Sequence, residues 1–200
     1  MPAYDSPVLI DPPPHLLDHR RVVLHGVTGS GKSTLAARLA ALTGAPHVSV
    51  DDLMWRPGWV QVSEQEQVET IRRYAEQPAW VIDALWSATR PIVLAHADLV
   101  VTLDYPRRVS LGRLVRRTVR RLRTGEQFCG GNTESWRQTL SSDSILAWHH
   151  ASFGRKHAEA AAWAADAGGP PLVRFTSPRA TDAWLRTLER AHADDQPHSR

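Results

Sequence analysis

Between a short apolar run, VVLH (22–25), and a helical pattern carrying Leu35, Leu39 and Leu42 on one side, the chain reads GVTGSGKST (26–34). The spacing is Gly26-x4-Gly31-Lys32-Ser33, and it constrains the fold more than any other feature. Polyphosphate is densely negative. A glycine-rich turn from strand to helix answers it with backbone N–H donors and the positive end of the helix dipole. Gly26, Val27, Thr28, Gly29, Ser30 and Gly31 supply the cradle, Lys32 reaches for the β- and γ-phosphates, and the Ser33 hydroxyl, with Thr34 beside it, suits Mg2+. Of 24 Lys and Arg residues only Lys32 and Lys156 are Lys, so the odds of an accidental match are on the order of one in a thousand. ATP and Mg2+ are the expected ligands.

The remaining apolar runs are HVSV (47–50), WVI (80–82), LVVTL (99–103) and LVRF (172–175), short and β-branched, with helical patterns between them. Such alternation predicts buried parallel strands in βα units. Helices are expected over about 32–42, from Ser63 with Glu66 completing a capping box, from Asp104 as cap with Pro106 in the first turn, and over about 135–149, 155–167 and 179–192. With 200 residues there is room for one domain, here 20–192, preceded by a Pro-rich extended segment (1–19) and followed by a short tail (193–200). A lone Cys129 allows no internal disulfide, no run of 18 apolar residues occurs, and the start lacks the pattern of a secretion signal. The expected location is the cytoplasm, with no membrane contact.

A phosphate-bound Mg2+ also needs a carboxylate at a strand end. Asp83, closing WVIDA, is the preferred candidate, while Asp104 reads better as a helix cap. Asp51 and Asp52 end the second strand; Asp51 is placed either to orient an acceptor or to sit in a solvated turn, and Asp52 reads as the latter. Eight arginines crowd residues 107–123. At 100° per residue Leu111, Leu114, Val115, Thr118 and Leu122 form a packing stripe, and Arg113, Arg116, Arg117 and Arg120 fall on the opposite face. Guanidinium groups near a γ-phosphate neutralise charge that develops during transfer. His149, His150 and His157 read as exposed helix positions rather than a metal site. Trp55, Trp59 and Trp86 fit an aromatic pocket and a buried core equally well.

Taken together, the loop, HVSVDDLMWRPGW (47–59), AWVIDALW (79–86), ADLVVTLDYPRR (97–108) and RLVRRTVRR (113–121) resemble the adenylate-kinase-related P-loop proteins of bacteria. Nearest in pattern are those labelled topology-modulation proteins or AAA-family ATPases. The resemblance spans about residues 20–190 and implies an α/β P-loop fold, a five-stranded parallel sheet in the order 2-3-1-4-5, an acceptor-side segment at about 51–78 and a lid at about 117–150. It places Asp83 where adenylate kinases carry a metal-side Asp, Asp51 and Trp59 on the acceptor side, Arg113, Arg116 and Arg117 leading into the lid, and RFTSPRA (174–180) near the adenine. The expected activity is transfer of the ATP γ-phosphate to a nucleotide or small molecule, with Lys32, Arg113, Arg116, Arg117 and Asp51 as the catalytic set. A nucleic-acid-associated ATPase and a nucleotide-dependent switch are the alternatives. Acceptor identity and oligomeric state are not written in the sequence.

Overall fold

The computed structural model describes residues 19–142, 144–165 and 169–195. Of the expected Pro-rich segment only residue 19 is described, while the first three residues of the expected tail, 193–195, continue the last helix. Five strands pair in parallel: β1 (Arg21–Gly26), β2 (His47–Val48), β5 (Trp80–Ile82), β6 (Leu99–Leu103) and β7 (Leu172–Phe175), ordered β2-β5-β1-β6-β7. The fold class is the expected one. The order departs from 2-3-1-4-5 only because a separate antiparallel hairpin, β3 (Trp55–Arg56) with β4 (Val60–Gln61), is counted along the chain. Sequence pattern did not reveal that hairpin, whose strands are two residues each and half-exposed or exposed.

β1 sits at the centre, with Val23 opposite both Ile82 and Val100. Every residue of β6 is buried, as a strand covered on both faces requires. Val22 and Leu24 pack on one face with Leu35, Leu39, Trp184 and Leu188, so α1 (Lys32–Thr43) and α8 (Pro178–Asp195) cover that side. Val23 packs on the other with Ile71, Ile82, Val93 and Trp163 from α3 (Glu64–Ala75), β5, α4 (Arg90–His96) and α7 (Ile145–Ala165). Truncating a fully buried leucine such as Leu24 to Ala should cost about 2–5 kcal/mol. The Ser63 cap is present, its Oγ accepting the Glu66 N–H at 3.2 Å. Because parallel strands all end on one edge, the loop after β1, Asp83 after β5 and the chain after β2 are delivered to the same rim.

Several local expectations fail for physical reasons. The second strand stops at Val48, and Asp51 and Asp52 stand in the first turn of a short helix, α2 (Val50–Met54). Asp104 caps nothing: Arg174 and His157 hold its carboxylate, and α5 (Arg107–Thr124) begins after Pro106 without a side-chain cap. α5 buries Ser110, Leu114 and Thr118, leaving Leu111 and Val115 exposed. It is rolled toward the phosphate loop, and small side chains let the two backbones approach. The patterns at 135–149 and 155–167 resolve into a four-residue turn, α6 (Trp136–Thr139), and one helix, α7, continuous through Gly154. His149 is buried rather than exposed, bonded to the Ser110 hydroxyl at 2.9 Å.

Candidate active site

The loop after β1 closes on itself, with Ser30 N–H donating to Val27 O at 3.2 Å. Gly29 lies at φ +78°, and a β-carbon there would run into the Ser110 carbonyl of α5. Glycine is therefore needed for the close approach as well as the turn. From α5, Arg113 Nη1 donates to Ser30 O at 2.9 Å. Beside these residues opens a cleft of about 310 Å3, lined among others by Gly31, Thr34, Tyr105, Arg113, Arg117 and Thr181. Lys32 Nζ donates to Val27 O at 3.1 Å. Its ammonium is lowered to about 8 by desolvation, against the pull of Asp51 and Asp83. Ser30 Oγ is buried without a partner among the described residues. A loop with a spare hydroxyl donor and a lysine ammonium at its end is fitted to receive an anion.

Two carboxylates share Lys32 as electrostatic neighbour. Asp83, 3 % exposed, accepts the Val50 N–H at 3.0 Å and lies 3.6 Å from His47 Nε2. Asp51 accepts the Trp86 indole N–H at 3.1 Å. Asp51 has exposed surface yet is crowded by protein, and desolvation pushes its carboxyl up while Lys32 pulls it down and Asp83 pushes it further up. Asp83 and Ser33, the latter in the first turn of α1, offer hard oxygen donors of the kind Mg2+ takes. Among the described residues no group of three His, Cys, Asp or Glu is arranged to hold a metal.

The structure brings Arg113 and Arg117 to the cleft and leaves Arg116 out. Arg116 is exposed, without a hydrogen bond or ion pair among the described residues, and Arg120 is taken up by Glu126. Arg117 is half-buried, its guanidinium held below its usual basicity by desolvation and by Arg121, and its Nε has no hydrogen-bond partner among the described residues. Glu134 and Asp51 act on it only through the field, without a hydrogen bond.

Trp55, Trp59 and Trp86 are half-exposed; Trp86 also packs against the core beneath β5, so the two readings the sequence left open meet in it. They form an edge-to-face row, Trp86 to Trp55 at 5.9 Å, Trp55 to Trp59 at 5.8 Å and Trp59 to Phe128 at 5.4 Å, with Arg121 over Phe128 at 3.6 Å. Asn132 pins the row. Its Oδ1 accepts the Trp59 N–H at 2.8 Å and its Nδ2 donates to Arg56 O at 2.9 Å and to Cys129 O. Trp59 has φ +60°, a conformation a bulky residue keeps only when its surroundings enforce it. Gly130 completes the contact, since a β-carbon would collide with the Trp55 carbonyl. Phe128 and Asn132 went unrecognised because their partners lie some seventy residues away; the GGN triplet was the one local hint.

No protein-family profile matches the chain, and no curated protein sequence does. Among solved structures it is similar to a shikimate kinase from Acinetobacter baumannii in complex with shikimate, at 15 % identity and TM-score 0.54, covering 92 % of this chain and 100 % of that one. Looser likeness extends to a sugar kinase from Janibacter (18 % identity, TM-score 0.47, 87 % and 92 % covered). A gluconokinase from Sinorhizobium meliloti stands at 16 % identity and TM-score 0.45, with 88 % and 94 % covered. At this identity the likeness concerns the fold, and the chain has the fold of a P-loop kinase.

Proposed function

We propose that this protein is an ATP-dependent phosphotransferase acting on a small molecule or nucleotide. One observation carries the reading: Arg113 and Arg117 meet the phosphate loop on one cleft, while Asp51 shares the field of the loop lysine. The loop and the two cations serve hydrolysis and transfer alike, and Asp51 is the group that would take an acceptor's proton in transfer.

In this reading Gly26–Thr34 hold the donor triphosphate through backbone N–H groups, and Lys32 contacts its β- and γ-oxygens. Ser33 and Asp83 would hold Mg2+, which would supply positive charge against that of the phosphates. Asp51, fixed by the Trp86 indole, takes the proton of the acceptor hydroxyl as its oxygen bonds to the γ-phosphorus. The bond from that phosphorus to the β–γ bridging oxygen breaks, and ADP leaves. Arg117, with Arg113 behind it, neutralises charge on the transferring group. The expected role of Arg116 passes to Arg117. The shikimate kinase likeness supports a small hydroxyl acceptor only as an analogy of fold.

The test is ATP labelled at the γ-phosphate, incubated with the protein and a panel of nucleoside monophosphates, nucleosides and hydroxy compounds. Label in an organic product, matched by ADP, is expected. Label appearing only as inorganic phosphate, with turnover raised by DNA and a steep salt dependence, would replace the transferase with a nucleic-acid-associated ATPase.

A further inference from the structure

The aromatic row meets a carboxylate at both ends. At one end the Trp86 indole N–H donates to Asp51 at 3.1 Å. At the other, Arg121 lies over Phe128 at 3.6 Å and stands 3.9 Å from Glu134 Oε1. The Glu134 side chain is 8 % exposed, and its Oε2 is buried without a hydrogen-bond partner among the described residues. A buried carboxylate oxygen left unmatched is costly, and a donor carried in by a ligand would relieve it. Beside Asp51, Asp52 is exposed and makes no ion pair among the described residues.

Local cations do not balance these acids. Arg56 is held by both oxygens of Glu66 at 2.7 Å, Arg121 is shared between Glu126 at 3.4 Å and Glu134, and Lys32 and Arg117 face the triphosphate in the proposed reaction. The Cys129 thiol, next to Phe128, reports the sign of the field. It is pushed up to about 12 by burial first, then by Asp51 and Asp52, each acting on it more strongly than Arg121 or Arg117. Within this negative field stand the half-exposed indoles of Trp55, Trp59 and Trp86, whose electron-rich faces attract cations. A neutral sugar gains nothing from the field, and an anionic acceptor is repelled by Asp51, Asp52 and the triphosphate beside it.

We propose that the tryptophan row and its flanking carboxylates bind an organic cation that also carries the accepting hydroxyl, an amino alcohol or a quaternary ammonium alcohol, with the nitrogen on the indole faces and the hydroxyl at Asp51. This deepens the phosphotransferase reading and rests on it for the role of Asp51, but its test needs no turnover. The full chain, loaded with Mg2+ and a non-hydrolysable ATP analogue, is titrated by equilibrium dialysis with labelled choline and labelled ethanolamine. Neutral 3,3-dimethylbutan-1-ol and glucose and anionic glycerate are the controls. Saturable binding of at least one cation is expected, roughly tenfold or more tighter than any control. Trp55→Leu and Glu134→Gln should each weaken it roughly tenfold, and Asp52→Asn, at an exposed position that leaves the fold intact, roughly threefold. Binding of neither cation, a control bound as tightly, or affinity unchanged in all three variants overturns the site. Cation binding with no transfer to any acceptor leaves the site standing and counts against the transferase; transfer to a neutral or anionic acceptor alone sustains the transferase and counts against the site.

Discussion

The donor side of the cleft comes from one unbroken stretch, Gly26 to Thr34, backed by two arginines a helical turn apart on α5, whereas the wall across from it is gathered from α2, the β3–β4 hairpin, the Trp86 turn and the Phe128–Asn132 turn. On the donor side backbone geometry does the work, and the close contact of Gly29 with Ser110 fixes it. On the other side rings 5.4 to 5.9 Å apart and a buried amide hold segments that have no local reason to meet. The difference teaches where specificity can vary. A loop that reads phosphates tolerates little change, while a wall made of side chains can be rebuilt for another acceptor without disturbing the donor.

Substitutions should therefore separate the two sides, and the largest effect is expected at Lys32. Lys32→Ala should weaken ATP binding by roughly a hundredfold or more, because two charged contacts to the β- and γ-phosphates disappear. Titration calorimetry reads this directly, and near-normal affinity would mean that the loop does not hold the donor through this side chain.

Asn132→Ala should act on the acceptor alone. It leaves the Trp59 N–H and two carbonyls without their partner and frees a residue held at positive φ. With about 1–3 kcal/mol of lost support, the acceptor KM should rise roughly tenfold while ATP affinity stays put. Asn132→Asp keeps the acceptor oxygen for Trp59 but not the two donated bonds, and should fall between. An equal loss of ATP affinity would merge the two regions into one.

The smallest effect expected is on pH dependence. Lys32 is lowered from 10.5 to about 8 in the free protein, and a triphosphate favours its charged form. Binding then takes up protons where the free lysine is partly neutral. ATP affinity should fall by about tenfold from about pH 7 to about pH 9, with proton uptake visible in buffers of different ionisation enthalpy. Lys32→Arg, charged throughout, should flatten the profile. A flat profile in the wild type would show that Lys32 is fully charged before ATP arrives. Asp51 moves the other way: its carboxyl is raised, so turnover that uses it as a base should rise with pH through a point above the usual carboxylate range.

What the sequence yielded follows the same division. Gly26-x4-Gly31-Lys32-Ser33 sits in a strand–turn–helix context that local periodicity reports, and the five buried runs became the five strands of the sheet. The hairpin at 55–61 escaped because two-residue strands have no measurable alternation. The roll of α5 escaped for another reason. Leu111 and Val115 look like core on a helical wheel, but a helix that must approach a glycine backbone presents Ser110 and Thr118 instead, and Arg117 turns inward where Arg116 had seemed equivalent. Asp104 looked like a cap because it precedes a helix, and only the fold brings Arg174 and His157 beside it. The amide of Asn132 carries no local signal beyond the two glycines before it, since each of its main partners is more than seventy residues distant or set by a turn.

Arg117 offers the most direct test of the account. Arg117→Ala should lower the single-turnover rate of transfer, once an acceptor is in hand, by roughly a hundredfold or more while the dissociation constant for ATP changes less than about threefold, the split expected of a cation that acts on the transferring group. A variant that turns over at the wild-type rate, or loses ATP affinity in step with rate, would contradict the claim that this guanidinium closes the cleft over the γ-phosphate.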